Sequence, residues 1–513
     1  MNNRTRFYLL IIAFLVIPLH LVFAQGQKIK PVTPKPSPEV MALLDYLQGL
    51  SGNHILSGQH NFPISRDRNT QFAADYIGKT PIVWSQDFGF AKDGDKDSYL
   101  ARPSIVQEAI RQHKLGAIVN LCWHAVPPTA DEPVTFQPVP GADPDNCASV
   151  QGKLTDQQWK DLFTPGTTIY KNWEKQVDEI AGYLKQLEDA HVPVLWRPYH
   201  EMNGDWFWWG GVYEGKYTTK RLYQQIYDRY VKHHKLKNLI WIWSVDKPEQ
   251  PRREFVNYYP GNKYLDILAI DIYGDVFKQE WYDGLMALSE GKPITLGEVG
   301  IPPRQEVLDQ QPNWLYWVVW SGMVRGTPVE EYEKLTVDSR YVFMEDKAYL
   351  EGTIAYRKAC GMEPIAIDRS ADFIGEWRMD ERESVIQNMG PASTPYKLTI
   401  SQNENELKVK AVSVVEWADD EVTDQTFFLD GRDMNSVVFN NSPRVQHANW
   451  SAEKDTLTIT SKVNLNFGDR PVELNSKEVW ILEKRGKKLV IFQTADGFMG
   501  RPQRESTIIY YKQ

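Results

Sequence analysis

Residues 196–210 read WRPYHEMNGDWFWWG, which sets Arg197, His200, Glu201 and Asn203 directly ahead of the aromatic run Trp206, Phe207, Trp208 and Trp209. A carboxylic acid can give or take a proton, and an imidazole or a guanidinium can steer one. Flat apolar rings beside such groups suit a sugar, whose ring has C–H faces and hydroxyl edges. A second carboxylate, Glu298, closes the run Ile294, Thr295, Leu296, Gly297. Two carboxylic acids flanking one sugar-lined cleft are what glycoside hydrolysis needs: one protonates the leaving oxygen while the other attacks the anomeric carbon or activates water. Environment assigns the roles. Glu201, beside His200 and the tryptophans, sits where desolvation keeps a carboxyl protonated as the acid. Tyr273 is placed to donate a hydrogen bond to ionised Glu298 and hold it as the nucleophile, and Gly297 leaves room for close backbone packing beside it. The competing reading is an aromatic core patch with one satisfied His and Glu. Gly204 and Gly210 argue instead for a loop, and loops carry function more often than packing does.

Strands must position these groups. Short apolar strands are predicted over 54–60, 81–88, 117–123, 192–199, 239–244, 265–273, 293–298 and 315–320, with helical patterns between them such as 170–187 and 220–232. Eight strands alternating with helices predict an α/β fold, a (β/α)8 TIM barrel, with a doubly wound open sheet as the alternative. No Gly-rich phosphate loop follows a strand, which disfavours the nucleotide-binding version. Such a barrel collects its chemistry at the C-terminal ends of its strands. Here those ends carry Gln59 and His60, Gln86 and Asp87, Trp123 and His124, His200 and Glu201, Asp271 and Tyr273, and Glu298. Any one of these could be a cap or a core polar group; the joint pattern is the signal. Glu201 and Glu298 lie about 97 positions apart, or about 32 for each of three units, close to the roughly 250 residues over eight units of such a barrel. Both therefore face one cavity.

The motifs WRPYHEMNGDWFWWG, ITLGEVG, DIYG and CWHAVPP together resemble glycoside hydrolase family 26, the β-mannanase family, across about 39–361. The resemblance implies a retaining (β/α)8 enzyme with Glu201 as acid/base and Glu298 as nucleophile. It also implies His200, Tyr273 and Trp206 around the cleaved sugar, with His124, Arg197 and Trp320 as further lining. The expected substrate is β-mannan or its oligosaccharides, cut by an endo-1,4-β-mannosidase through double displacement. The alternatives are a β-1,3-xylanase or mixed-linkage β-glucanase of the same family, or a carbohydrate-binding protein on a degenerate barrel. The last would lack one carboxylate, and both are present. The long insert 126–166 after the third strand matches no pattern.

The rest of the chain bounds these readings. At 513 residues it exceeds one usual core, so two domains are expected. A net charge of −9 disfavours nucleic acid or an anionic membrane as partner. Residues 1–24, with Arg4 and Arg6 ahead of an apolar run that ends near Ala24, have the layout of a signal peptide. No cysteine follows that could carry a lipid, so an exported chain, periplasmic or secreted and with no span in its mature form, is predicted. The Pro-rich stretch 25–38 reads as an extended, poorly ordered leader. Residues 39–362 form the barrel. From 370 to 513 short alternating strands predict a smaller all-β domain, an antiparallel barrel or sandwich. Its Gly375, Glu376, Trp377 resembles the opening GxW of lipocalin-like domains, with Trp377 expected as a core plug. The join near 363–369 has no long flexible tract, which predicts a close-packed neighbour. Cys122, Cys147 and Cys360 permit at most one internal bridge, with Cys122 and Cys147 the nearer pair. No metal-ligand motif or cofactor fingerprint is present, so neither is expected.

Overall fold

The apolar runs become β1 (Ile55–Leu56), β2 (Gly58–Asn61), β3 (Val83–Asp87), β4 (Ile118–Trp123), β5 (Val194–Pro198), β6 (Leu239–Asp246), β7 (Ile267–Ile272), β8 (Ile294–Val299) and β9 (Trp314–Val319), with β10 (Tyr341–Val342) alongside. All their residues are buried, as strands covered on both faces must be. The computed structural model that shows this describes residues 29–513 except 144, 368–369, 388–393, 439–440, 468–469 and 498–501. The predicted signal peptide lies outside the described residues. Strands β2 to β9 pair in parallel in chain order, and β9 returns to β2 through Gln59 and Val319. The result is the expected closed eight-stranded barrel wrapped by helices.

The first strand is broken at Ser57, a break the sequence does not announce. The Ser57 N–H and Oγ–H both donate to the Val342 carbonyl (3.0 and 2.9 Å), while the Ser57 carbonyl accepts from Ile82 and Val83 (2.9 and 2.8 Å). So β1 pairs with β10 and β9, and β2 with β3 and β9. The helix Thr168–Asp189 shows how the outer layer forms. Trp173, Val177, Ile180, Ala181, Leu184 and Leu187 recur at helical spacing and are its buried face. Burying each larger aliphatic chain there stabilises the fold by roughly 1.5–3 kcal/mol. The Thr167 side chain caps the helix by accepting from the Tyr170 N–H at 3.2 Å.

Two expectations are corrected. The leader is not poorly ordered over its described part. The Val32 N–H donates to Asp266 (2.7 Å), Tyr227 donates to the Val32 carbonyl (2.6 Å), Thr33 is buried and donates to the Leu239 carbonyl, and the Ser37 N–H donates to the Lys237 carbonyl (2.9 Å). A Pro-rich segment has few backbone donors, and here those of Val32 and Ser37 are taken by residues of the barrel. The Cys122–Cys147 bridge does not form: all three cysteines are buried thiols. Cys122 points at the Asp87 carboxylate (3.3 Å), and Cys147 turns to the Ser149 carbonyl (3.5 Å).

The second sheet contains β11 (Gly375–Met379), β12 (Lys397–Gln402), β13 (Glu406–Ser413), β14 (Glu421–Phe428), β15 (Met434–Val438), β16 (Ser442–Trp450), β17 (Thr456–Phe467), β18 (Arg470–Glu483), β19 (Lys488–Ala495) and β20 (Arg504–Lys512). Its order is β14-β13-β12-β11-β20-β19-β18-β17-β16-β15, antiparallel throughout, and β14 comes back against β15 and β16 so that the sheet curls into a barrel. Trp377 is fully buried in its core, its indole N–H donating to the Phe373 carbonyl at 2.9 Å. The β18–β19 turn docks on the (β/α)8 barrel: Arg485 and Lys487 pair with Asp75 (2.8 and 3.0 Å) and Lys484 with Glu333 (2.9 Å). Ile365 and Ile367, in the join, pack against the first core.

Candidate active site

The chain leaves β5 through an unusual turn. Tyr199 and Glu201, on either side of His200, both lie in the left-handed region at φ of 49° and 50°. Such a conformation costs a non-glycine residue of order 1–3 kcal/mol and persists only where its surroundings fix it. They do so here: the Trp209 indole N–H donates to the His200 carbonyl (2.9 Å), and the Gly204 N–H donates to the Glu201 carbonyl (2.9 Å). Asn203 ties the same loop to β6, accepting from the Asp246 N–H (2.6 Å) and donating to the Asp246 carbonyl (2.6 Å). The turn delivers Glu201, 8% exposed, to the cleft, where the Trp206 indole N–H donates to its Oε2 at 2.7 Å. A Cβ on Gly204 would collide with the Trp206 ring, so only glycine lets that ring lie over the turn. Burial pushes the Glu201 carboxyl well above the usual carboxylate range. The negative charges of Asp271, Glu298 and Asp246 push it further, against the pull of the Trp206 donor. Glu201 is therefore held as a protonated acid.

Glu298, on β8, is an acceptor with a donor on each oxygen: the Arg197 guanidinium on Oε1 and the Tyr273 hydroxyl on Oε2. Arg197 is fully buried beneath the carboxylates and also donates to Asp271 (2.8 Å) and to Ser244 (3.2 Å). It thus holds Glu298 from below and does not line the wall. Asp271 packs against β8 at Gly297, where a Cβ would sit 2.5 Å from its Oδ1. Burial, with the Glu298 and Glu201 charges, raises the Tyr273 phenol far above its ordinary value, so it stays a donor. One oxygen each of Glu201, Asp271 and Glu298 lie within 4.8 Å of one another, and these three could ligate a cation. Arg197 already donates to two of them, so the cluster has its own buried cation.

The other expected residues divide. His124, at the end of β4, meets His200 through their Nε2 atoms at 3.2 Å, and His200 Nε2 lies 3.9 Å from Glu298 Oε1. Trp320 stacks on His60 with ring centres 3.8 Å apart. A cavity of about 570 Å3 continues from there, walled by Phe62, Phe90, Phe136 and Trp320 with His60 and His124 at its base. Of the aromatic run only Trp206 bonds to a cleft carboxylate. Phe207 and Trp209 stack on each other, 4.4 Å between centres, and Trp208 donates to the Ala125 carbonyl at 2.7 Å. The insert after β4 braces this run, since the Trp208 N–H donates to the Val150 carbonyl (3.1 Å). Asp87 and Asp271, at strand ends, and Asn203, within the motif, have no role assignable from sequence. Without geometry such a place does not separate them from caps.

Residues 32–344 match the family model described as glycosyl hydrolase family 26. A mannan endo-1,4-beta-mannosidase of Thermothelomyces thermophilus is 33% identical over 295 residues, 56% of this chain and 56% of that one. One from Bacillus subtilis is 29% identical over 324 residues, 58% of this chain and 83% of that one. The chain spans about half the length of the first curated relatives it matches. Among solved structures, GH26A from Muricauda sp. MAR_2010_75 superposes with a TM-score of 0.56 at 40% identity, over 61% of this chain and 98% of that one. The GH26-CBM35 beta-(1,4)-mannanase of Podospora anserina does so with a TM-score of 0.52 at 28% identity, over 63% and 70%. With the carboxylate pair at the ends of β5 and β8 of a closed (β/α)8 barrel, the chain belongs to glycosyl hydrolase family 26.

Proposed function

We propose that the chain is an exported endo-β-1,4-mannanase that works with retention of configuration, with Glu201 as acid/base and Glu298 as nucleophile. The observation that carries this is the pair itself. Two carboxyl groups have an oxygen each within 4.8 Å, one buried among negative charges and one held by Arg197 and Tyr273. Retention uses carboxyls about 5–5.5 Å apart, whereas inversion needs roughly 6.5–9.5 Å to seat a water between them. In the first step Glu298 attacks the anomeric carbon while Glu201 gives its proton to the leaving oxygen. In the second, Glu201 takes a proton from the water that attacks the glycosyl–enzyme bond, and Glu298 leaves as a carboxylate. His200, Trp206, Tyr273, His124 and Trp320 surround the sugar, and Arg197 supports the nucleophile. Mannan as substrate is supported by the names of the relatives, and export by the layout of residues 1–24; among the described residues no helix is long and apolar enough to cross a membrane.

The test is to incubate the protein with β-mannan, β-1,3-xylan and mixed-linkage β-glucan, size the products and follow the first anomer released by NMR. Short manno-oligosaccharides released as the β-anomer are expected. Initial release of the α-anomer would overturn retention, and cleavage of xylan or glucan in preference to mannan would overturn the substrate.

A further inference from the structure

Asp87, at the end of β3, is a buried carboxylate surrounded by donors. Its Oδ1 accepts from the Gly89 N–H (2.7 Å); its Oδ2 accepts from the His124 N–H (3.0 Å), the Cys122 thiol (3.3 Å) and His124 Nδ1 (2.8 Å). An ionised carboxylate can only accept, so His124 Nδ1 must carry a proton. The other ring nitrogen of His124 faces His200 Nε2 at 3.2 Å, and two ring nitrogens at that distance share one proton. His200 Nδ1 has no hydrogen-bond partner among the described residues.

We infer that Asp87 is a positioning residue of this site: its buried carboxylate, 2.8 Å from His124 Nδ1, holds the proton there and stabilises the positive charge that a second proton on Nε2 brings, so that His124 is an imidazolium that donates from Nε2 to His200 and leaves His200 neutral beside Glu298. The charged and titratable groups around the His124–His200 pair are Asp87 on β3, Asp97 on the loop after it, His60 on β2, Arg197 on β5 and Glu298 on β8: the three carboxylates favour a charge on His124, and His60 and Arg197 disfavour one on His200. Burial opposes a charge on His124, but Asp87, Glu298 and Asp97 outweigh it and raise its pKa. Burial, His124 and Arg197 hold His200 far below its ordinary value, and burial pushes His60 down to about 3. His200 then keeps its single proton on Nδ1 and turns a lone pair to His124. It adds no positive charge next to Glu298, and Arg197 and Tyr273 remain the groups that tune the nucleophile. This placement bears on turnover only if the cleft is the reacting site read above.

The test is an NMR titration of the histidine ring nitrogens in the intact, substrate-free protein, with His124 assigned by comparison with His124→Gln. In the wild type His124 is expected doubly protonated at pH 6. In Asp87→Asn its midpoint is expected to fall by about one pH unit or more. The turnover of mannan is expected to fall about tenfold or more, with KM nearly unchanged and the pH–rate profile displaced. Asp97→Asn is the comparison, because burial and Asp87 raise Asp97 to about 6, in the same window: it should lower the His124 midpoint less than Asp87→Asn does, and an equal or larger fall overturns the inference. A wild-type His124 with a single ring proton at pH 6 overturns the inference even if Asp87→Asn does not fold. So does an Asp87→Asn variant that loses stability and leaves the ring titration and the pH–rate profile in place. The ring measurement needs no substrate, so a wild type that cleaves no mannan refutes the proposed function and leaves this placement to be decided on its own.

Discussion

Two glutamates in the two barrels of this chain have the same immediate partner. Glu201, in the cleft, accepts from the Trp206 indole at 2.7 Å; Glu478, on the inner face of the antiparallel barrel, accepts from the Trp480 indole at 2.9 Å. Desolvation is the first cause acting on both and raises both. Their further surroundings differ. Three carboxylates press on Glu201, whereas Glu478 has a second donor in Gln493 (3.1 Å) and a cation in Arg444. An indole donor and desolvation are therefore common to both, and what sets Glu201 apart is the neighbouring negative charge that raises its carboxyl further.

Removing the carboxylates breaks the comparison most severely. Glu298→Ala is expected to abolish turnover of every glycoside, because no bond to the anomeric carbon can form. Glu201→Ala should lower hydrolysis of mannan by about 10²–10⁴-fold, the usual share of general acid–base catalysis. It should spare the glycosylation step for an aryl mannoside with an acidic leaving group, and azide should restore its deglycosylation. Steady-state and burst kinetics on the two variants check this, and equal sensitivity of both to leaving-group acidity would reverse the assignment.

A smaller change sharpens it. Trp206→Phe keeps a ring over Gly204 and deletes the donor to Glu201. The Trp206 bond favours the carboxylate form, so its loss raises the Glu201 pKa further, and the alkaline limb of kcat/KM, which reports loss of the proton from Glu201, should move to higher pH. The rate at the optimum should fall by about 10-fold, the value of one hydrogen bond to a charged group. A limb that stays in place would mean that this bond has no part in setting the acid.

What was legible in the sequence follows from what each feature does to the residue pattern. Buried parallel strands need apolar runs, so the barrel and the polar residues at its strand ends could be read directly, Glu201 and Glu298 included. Arg197 could not be placed, because a charge inside an apolar strand looks the same whether it faces a cavity or lies beneath two carboxylates. Asp87 and Asp271 were visible only as strand-end polar groups, since their partners come from other strands. The break at Ser57 depends on β10, some 285 residues away. In the second barrel, β11 and β16 have a weak sequence pattern for another reason. The inward positions of β16 include Gln446 and Ala448, a polar and a small residue, so the period-two signal that marks a half-buried strand is weak there. Five-residue β11 begins at a glycine and buries only Trp377 and Met379.

The mildest test removes the charge from the other member of the pair, by Glu478→Gln. Burial raises the Glu478 pKa in the folded chain above its unfolded value of about 4.3, despite its two donors and Arg444. A carboxyl raised on folding contributes stability that is fully present below the unfolded pKa and is lost as pH rises through the folded one. Glutamine stays neutral throughout, and its carbonyl can still accept from Trp480. The variant should therefore match the wild type in thermal midpoint near pH 4 and equal or exceed it near pH 7. The difference should stay within about 1 kcal/mol, because Glu478 is only partly buried and solvent screens its charge. Hydrolysis of mannan should not change, since Glu478 lies in the second barrel and the reacting pair in the first. Melting curves at the two pH values decide it. A variant less stable than the wild type by the same amount at both would show that the hydrogen bonds of Glu478 outweigh its desolvation. A loss of activity would show that the antiparallel barrel acts on the cleft and that the two glutamates are not independent.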